Sequence, residues 1–194
     1  MYDVAIIGAG ITGTFIAREL SRYKLNIVLL EKENDISNGC TKANTGIVHA
    51  GYDAKPGSKM AIFNVKGNPM FDKVCEELDV PFKRIGSLVV GFDEEDKITI
   101  NELYERGQIN GVPELEILDR KRVLEMEPNI GDEVIAALYA PTAGIVGPWE
   151  LAIALAENAI DNGVELLLNN GVKNITKVEE GYSIDTEQRT LIAK

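Results

Sequence analysis

A glycine-rich turn near the N-terminus limits the possible folds of this chain more than any other feature. Residues 4–7 form a short continuous apolar run, which is typical of a parallel strand buried on both faces. Gly8, Gly10 and Gly13 follow in the pattern G-x-G-x-x-G, and apolar residues one turn apart then predict a helix. In such a turn the first glycine permits a tight bend, the second admits close approach to the backbone, and the third lets the helix pack against the strand.

A second strand lies at the expected distance from this turn. The segment NIVLLE ends in Glu31, 18 residues after Gly13, and about 20 is usual for an acidic residue that binds a ribose hydroxyl. The helix would direct its N-terminal N–H groups at a pyrophosphate. We interpret these elements as a dinucleotide-binding unit; the alternative is a turn without a ligand and a solvated Glu31. A carboxylate would repel a 2′-phosphate, which disfavours NADP, but the glycines do not separate NAD from FAD.

The composition argues against several other classes of function. The 194 residues carry a formal net charge of −11, and the sequence pI is about 4.6. So acidic a surface repels nucleic acid and anionic lipid. No apolar run reaches the roughly 18 residues of a membrane span, and the N-terminus has no signal-peptide pattern. Cys40 and Cys75 lack metal-ligand spacing, so we expect no metal site and a reducing, cytoplasmic location.

The rest of the pattern predicts an α/β protein with a Rossmann-like FAD/NAD(P)-binding domain and part of an inserted antiparallel-sheet substrate domain. We expect the first domain to comprise residues 1–80 and residues 145–194, the latter ending in a β-meander. Residues 81–144 would form part of the second domain, because their strands and helices differ in character from the flanking segments.

Two helices have clear predicted boundaries. A charged helix is expected over residues 94–110, with Ile98, Leu103 and Ile109 as its inward contacts. Another is expected to begin at Pro148, because proline is favoured in the first helical turn.

Three segments together resemble one known family. They are YDVAIIGAGITG…LLEKE, CTKANTGIVHAGYDAKPGSKMA and LYAPTAGIVGPWELAIALAENAIDNGVEL. With them the chain resembles the FAD-dependent oxidoreductases of the D-amino-acid-oxidase superfamily, and within it the FAD-dependent glycerol-3-phosphate dehydrogenases. The 2-hydroxyglutarate oxidases have a similar segment around the histidine. The first segment is shared by many nucleotide-binding proteins, whereas the second is much more specific.

The resemblance implies an FAD cofactor and assigns residues to it by position. The pyrophosphate would contact Gly8, Gly10, Ile11, Thr12 and Gly13. Glu31 would bind the adenosine ribose beside Lys32, and the backbone of Val172 would contact adenine. The ribityl chain and the isoalloxazine ring would lie along a loop formed by Thr41, Lys42, Asn44, Thr45 and Gly46.

His49, the only histidine, lies in the second of these segments between Gly46 and Gly51. The resemblance implies that His49 faces the flavin and takes the proton of a substrate hydroxyl while hydride passes to flavin N5. A neutral imidazole suits this role. A covalent link to the flavin and a purely structural, hydrogen-bonded histidine are the alternatives. The implied reaction is oxidation of glycerol 3-phosphate to dihydroxyacetone phosphate, with a 2-hydroxyglutarate-type oxidation as the second candidate.

Members of the resembled family are much longer than this chain. We therefore expect an N-terminal portion of a larger enzyme, with an exposed sheet edge and little turnover by itself. The expected partner is a small hydroxy compound, and the electron acceptor is not indicated. Two other functions stay open: a nicotinamide dehydrogenase that uses the same glycine pattern, and a non-catalytic nucleotide-binding module.

Overall fold

The computed structural model describes residues 1–194 and has the predicted α/β character. The chain forms two compact units. The first unit contains residues 1–45, 78–80 and 147–194, and the second contains residues 46–77 and 81–146. These units differ from the predicted domain boundaries chiefly at residues 46–77, which cluster with the central part of the chain.

The elements follow one another as a mixture of short strands and helices. None of the helices has the length and hydropathy of a membrane-spanning segment. In chain order the elements are β1 (Val4–Ile7), α1 (Ile11–Leu20), β2 (Ile27–Leu30), a 3₁₀ turn (Cys40–Lys42), β3 (Ile47–Val48), α2 (Lys59–Gly67), α3 (Met70–Glu77), β4 (Phe82–Lys83), β5 (Ser87–Gly91), α4 (Glu94–Asn110), β6 (Glu116–Asp119), α5 (Arg120–Met126), β7 (Ala136–Ala140), β8 (Gly144–Val146), α6 (Pro148–Asp161), β9 (Glu165–Leu167), β10 (Val172–Val178), β11 (Gly181–Thr186) and β12 (Thr190–Ala193).

The first unit is built on a parallel sheet with the strand order β1-β2-β9. All four residues of β2 are buried, and they alternate between two cores because successive strand residues point to opposite faces. Ile27 and Leu29 pack with Ala17 of α1 and with α6. Val28 and Leu30 pack against the antiparallel meander β10-β11-β12. The predicted meander is thus present and covers one face of the sheet.

The first strand is less buried than its apolar sequence predicts. β1 pairs with β2 along one side only, and Ile7 is 53% exposed. The prediction of burial on both faces is therefore wrong for β1, whereas β2 is the strand that is buried on both faces. An apolar run of this length identifies a strand of a parallel sheet but does not specify whether that strand lies at the centre or at the edge.

The second unit contains two antiparallel sheets. In the larger sheet β7 lies between β5 and β6, and its residues alternate between two helices. Leu138 packs with Ile100 of α4, whereas Ala137 packs with Val123 of α5. The smaller sheet has the order β3-β8-β4. The pairing of β3 with β8 ties the segment that follows residue 46 to this unit.

The helix α4 has the predicted boundaries but not the predicted inner face. Ile98 and Ile109 are 62% and 73% exposed, and of the three expected contacts only Leu103 packs against the core. The buried positions are Ile100 and Gly107. Gly107 contributes no apolar side chain, so the helical spacing of apolar residues does not reveal the face along which the helix approaches its neighbours.

Candidate functional site

A cavity of about 780 Å³ opens in the first unit at the carboxyl ends of the parallel strands. Its walls come from the glycine turn after β1, the end of β2, the segment around the 3₁₀ turn and the start of β10. Ligands of open α/β sheets bind beyond this end of the strands. The cavity therefore lies where the sequence predicts a dinucleotide.

The glycine turn is shaped by close backbone contacts that exclude larger residues. Gly8 has a φ of 98°, a conformation that L-residues rarely adopt. A Cβ atom on Gly13 would lie 1.9 Å from the carbonyl oxygen of Gly8. A Cβ atom on Gly10 would lie 3.2 Å from Thr41 Oγ1, at the wall of the cavity. The helix can approach the strand this closely only because Gly13 has no side chain.

The first turn of α1 offers N–H groups to an anion. Thr41 Oγ1 accepts a hydrogen bond from the N–H of Ile11 at 3.0 Å, and the carbonyl oxygen of Gly10 accepts from Thr14. The N–H groups of Thr12 and Gly13 have no acceptor within the chain. Gly10, the N-cap residue, has no side chain to cap them. Two free donors at the positive end of a helix macrodipole are suited to a phosphate group.

Glu31 is buried and holds the turn in place. Its Oε2 accepts a hydrogen bond from the N–H of Ala9 at 2.8 Å, and its Oε1 accepts from the N–H of Glu33 at 3.0 Å. The alternative of a solvated acid at a strand end is therefore wrong. A carboxylate has about four acceptor positions, so Glu31, which lines the cavity, can accept a hydroxyl donor as well.

The structure brings together most of the residues assigned to FAD, but not all of them. The following assigned residues line the cavity: Gly8, Gly10, Ile11, Thr12, Gly13, Glu31, Lys32, Thr41 and Val172. Lys42 and Asn44 are exposed and do not line it; Asn44 Nδ2 donates to the carbonyl oxygen of Thr41. Thr45 also lies outside the lining, and Gly46 belongs to the second unit.

Asn170 is a residue of the cavity that the sequence analysis missed. It is buried, its N–H donates to the carbonyl oxygen of Glu31 at 2.8 Å, and its Oδ1 accepts from Thr186 Oγ1. Asn170 thus joins the end of β2 to the meander. Its position shortly after β9, a strand of the parallel sheet, is the signal that could have identified it, because α/β sheets carry functional residues beyond the carboxyl ends of their strands.

His49 follows β3 directly in the second unit. It is exposed, whereas the neighbouring Val48 and Ala50 are buried. Asn68 Nδ2 donates a hydrogen bond to the carbonyl oxygen of His49 at 3.0 Å. The imidazole itself has no hydrogen-bond or ion-pair partner within the chain, so the alternative of a hydrogen-bonded structural histidine is not what the structure shows.

Arg84, which directly follows β4, is held by several partners within the second unit. Its guanidinium donates to Asn68 and to both carboxylate oxygens of Asp72, and it lies over the ring of Phe82 at 4.9 Å. The hydrogen bond from Arg84 lowers the pKa of the Asp72 carboxyl below its ordinary value. Arg84 is therefore engaged within the second unit.

The parallel sheet, the glycine turn and the cavity define a dinucleotide-binding α/β protein. The sequence profile of the family described as "FAD dependent oxidoreductase" (DAO) matches residues 3–193. The chain belongs to this family. The match confirms the predicted superfamily and its FAD-dependent oxidoreductase character.

Two of the proteins that are similar to the chain are named for glycerol 3-phosphate. The chain is 59% identical over 194 residues to the glycerol 3-phosphate dehydrogenase of Caloramator mitchellensis, covering all of this chain and 40% of that protein. It is 35% identical to the glycerol 3-phosphate oxidase of Mycoplasma genitalium, covering 98% and 48% of the two chains. It is 32% identical to the mitochondrial L-2-hydroxyglutarate dehydrogenase of Homo sapiens, covering 100% and 42%.

Solved structures show the same fold. The dithionite-reduced L-α-glycerophosphate oxidase of Mycoplasma pneumoniae with FAD bound superposes with a TM-score of 0.90 at 29% identity, over 97% of this chain and 50% of that one. The glycine oxidase of Geobacillus kaustophilus gives a TM-score of 0.88 at 28% identity, over 99% and 53% of the two chains. The chain thus spans half or less of the length of the curated relatives it matches.

Proposed function

We propose that this chain binds FAD in the cavity of the first unit and takes part in the oxidation of glycerol 3-phosphate to dihydroxyacetone phosphate. The observation that carries the proposal is the cavity, in which a glycine turn, two free N–H groups and a buried carboxylate line one wall. The resemblance to the dehydrogenase of Caloramator mitchellensis supports the choice of substrate.

The residues that line the cavity match two chemically different parts of FAD, the anionic pyrophosphate and the neutral ribose. The N–H groups of Thr12 and Gly13 would hold the pyrophosphate, and the absence of a Cβ on Gly10 leaves room for it beside Thr41. Glu31 would accept hydrogen bonds from the ribose hydroxyls. When bound, FAD supplies an acceptor for the hydride that leaves the substrate carbon.

We propose that His49 is the base that accepts the hydroxyl proton of the substrate. A neutral imidazole can take a proton near neutral pH, and the ring of His49 has no partner within the chain that would occupy its nitrogens. The segment around it is fixed on both sides by buried residues, Val48 and Ala50. The chain therefore presents an available imidazole on a well-packed segment.

Other parts of the interpretation are proposals of the same kind. Lys42, Asn44, Thr45 and Gly46 would contact FAD through the loop that the family resemblance assigns to the flavin, although they lie outside the cavity lining. Both cysteines are unpaired, which fits a reducing compartment such as the cytoplasm. Oxidation of L-2-hydroxyglutarate is the second candidate reaction, because several dehydrogenases of that compound are 32–36% identical to the chain.

Cofactor binding can be tested with the chain itself. The chain is incubated with FAD or with NADH, passed through a desalting column and examined by absorbance. We expect FAD to coelute with the protein, with a flavin band at about 450 nm, and NADH not to coelute. A colourless protein after incubation with saturating FAD would contradict the proposal.

The substrate is tested in a fusion protein, because the chain spans 40% of its Caloramator relative. Residues 1–194 are joined to the part of that relative which follows the aligned segment. We expect glycerol 3-phosphate to bleach the flavin under anaerobic conditions, and L-2-hydroxyglutarate to bleach it more slowly. The reverse order would favour the second candidate, and no bleaching with either compound would favour a non-catalytic module.

The role of His49 is tested by the substitution His49→Asn in the same fusion protein. Loss of a general base lowers a rate by about 10²- to 10⁴-fold, so we expect a fall of this size in the rate constant of flavin reduction. The FAD content, measured after denaturation, should not change. An unaltered rate constant would exclude the proposed base.

A further inference from the structure

The carboxamide of Asn68 is fixed on every polar side. Asn68 is 7% exposed and lies between α2 and α3. Its Nδ2 donates to two carbonyl oxygens, that of His49 at 3.0 Å and that of Thr142 at 2.9 Å. Its Oδ1 accepts from Arg84 NH1 at 2.8 Å. The orientation of the amide is chemically determined, because carbonyl oxygens only accept and a guanidinium only donates.

Arg84 is in turn held by its own partners. Its Nε donates to Asp72 Oδ1 at 3.2 Å, and its NH2 donates to the carbonyl oxygen of Asn68 at 2.8 Å. The guanidinium also contacts the carbonyl oxygen of Thr142 and lies over the ring of Phe82. A charged, planar and multiply bonded partner therefore limits the movement of the Asn68 side chain.

The two backbone groups that Asn68 joins belong to different segments of the second unit. His49 follows β3, and Thr142 lies in the connection between β7 and β8. Both segments flank the small sheet β3-β8-β4. The side chain of Asn68 thus bridges the His49 backbone and the neighbouring connection, next to the pairing of β3 with β8.

A second asparagine holds the same loop without touching His49. Asn110, the last residue of α4, donates through Nδ2 to the carbonyl oxygens of Gly51 and Ala54 at 2.9 and 2.8 Å. The chemistry of the two asparagines is the same, one amide and two carbonyl acceptors. Only Asn68 contacts His49 and accepts a hydrogen bond from Arg84, so Asn110 is a control for the loss of two hydrogen bonds that hold the loop.

We propose that Asn68, oriented by Arg84, is a positioning residue that sets the backbone of His49 and so the placement of its imidazole. This proposal rests on the proposed role of His49 as the base. Misplacement of a reacting group by 1 Å can cost a factor of about 10² in rate. Removal of the Asn68 amide should therefore lower the rate of proton removal and leave substrate affinity largely intact.

The kinetic test compares Asn68→Ala with Asn110→Ala in the fusion protein. Flavin reduction is followed in a stopped-flow instrument over a range of glycerol 3-phosphate concentrations. We expect Asn68→Ala to lower the limiting rate constant by about 10- to 100-fold and to change the substrate dissociation constant less than about 3-fold. Asn110→Ala should retain the wild-type rate constant. Asn68→Asp, which keeps the size of the side chain and removes both N–H donors, should behave like Asn68→Ala.

A spectroscopic test uses the chain alone, because its single histidine gives one imidazole Cε1–H proton signal. We expect this signal to shift or broaden in Asn68→Ala and Asn68→Asp and to keep its wild-type position in Asn110→Ala. Circular dichroism checks that each variant is folded, and Asn68→Asp serves if Asn68→Ala does not fold. This measurement requires neither FAD nor turnover.

The outcomes separate this proposal from the proposed function. If the Asn68 variants keep the wild-type signal and rate constant, or if Asn110→Ala has the same effects as they do, Asn68 is not a positioning residue, while the base role of His49 is untouched. If His49→Asn reacts at the wild-type rate, the base role fails and the positioning role fails with it, whatever the imidazole signal shows.

Discussion

Replacement of Gly13 by alanine is the most direct test of the glycine turn. In the structure, a Cβ atom at this position would lie 1.9 Å from the carbonyl oxygen of Gly8 and 3.5 Å from Ile6 Cγ2. Contacts below 3.0 Å are essentially never seen for real Cβ atoms. The closer atom belongs to the backbone, so no side-chain rotation can relieve the clash, and α1 must move away from β1 by about 1 Å or more.

The expected magnitude combines two opposing effects. Overpacking of this kind costs about 1–3 kcal/mol, and contact with backbone places Gly13→Ala at the upper end of that range. Alanine is favoured over glycine in a helix by about 1 kcal/mol. The net expectation is a loss of about 2 kcal/mol in the free energy of unfolding, which lowers the Tm of a chain of this size by about 4–8 °C.

Gly67→Ala is the matched control, because Gly67 also lies in a helix, as the last residue of α2, but has open space around its Cβ position. This variant should gain up to about 1 kcal/mol from helix propensity. Thermal and urea unfolding of both variants, followed by circular dichroism, measures the difference. If Gly13→Ala is as stable as Gly67→Ala, the close approach of helix and strand is not a constraint on this sequence and the argument from the turn fails. In addition, FAD retention should fall in Gly13→Ala only.

Two further predictions concern groups whose pKa the fold changes. Cys75 is buried, and burial raises the pKa of its thiol. A thiol reagent should therefore modify the exposed Cys40 at least about 10-fold faster than Cys75. Cys40→Ser should abolish the fast phase of modification, and equal rates for the two cysteines would contradict the burial of Cys75. Arg84 lowers the pKa of the Asp72 carboxyl in the folded chain. The ionised carboxyl therefore contributes to stability above about pH 3.9, its pKa in the unfolded chain. This contribution is lost as the pH falls through the lower pKa of the folded chain. Asp72→Asn should therefore destabilise the chain at neutral pH and approach the wild type in acid, as urea unfolding at several pH values would show; a difference that grows in acid would refute the ion pair.

The local sequence was sufficient to predict the structure of those segments that determine their own conformation. The strand, glycine turn and helix at the N-terminus, and the ends of α4 at Glu94 and Asn110, follow from short-range rules for glycine, caps and apolar spacing. The family resemblance and the FAD-dependent class came from the same local motifs, and the family match confirms them. These properties depend on neighbours in the chain, so they can be read without knowing which distant residues meet.

Long-range contacts were needed for everything that depends on the packing of separate segments. Three features depend on which elements pack next to each other in the fold. They are the edge position of β1, the burial of Gly107 in α4 and the burial of Glu31. The sequence separates His49 from Thr142 by more than ninety residues, yet both carbonyl groups meet the amide of Asn68. The spacing of apolar residues indicates only whether a position is buried. Which residue packs against that position, and which hydrogen bonds form there, are determined when distant segments come together on folding.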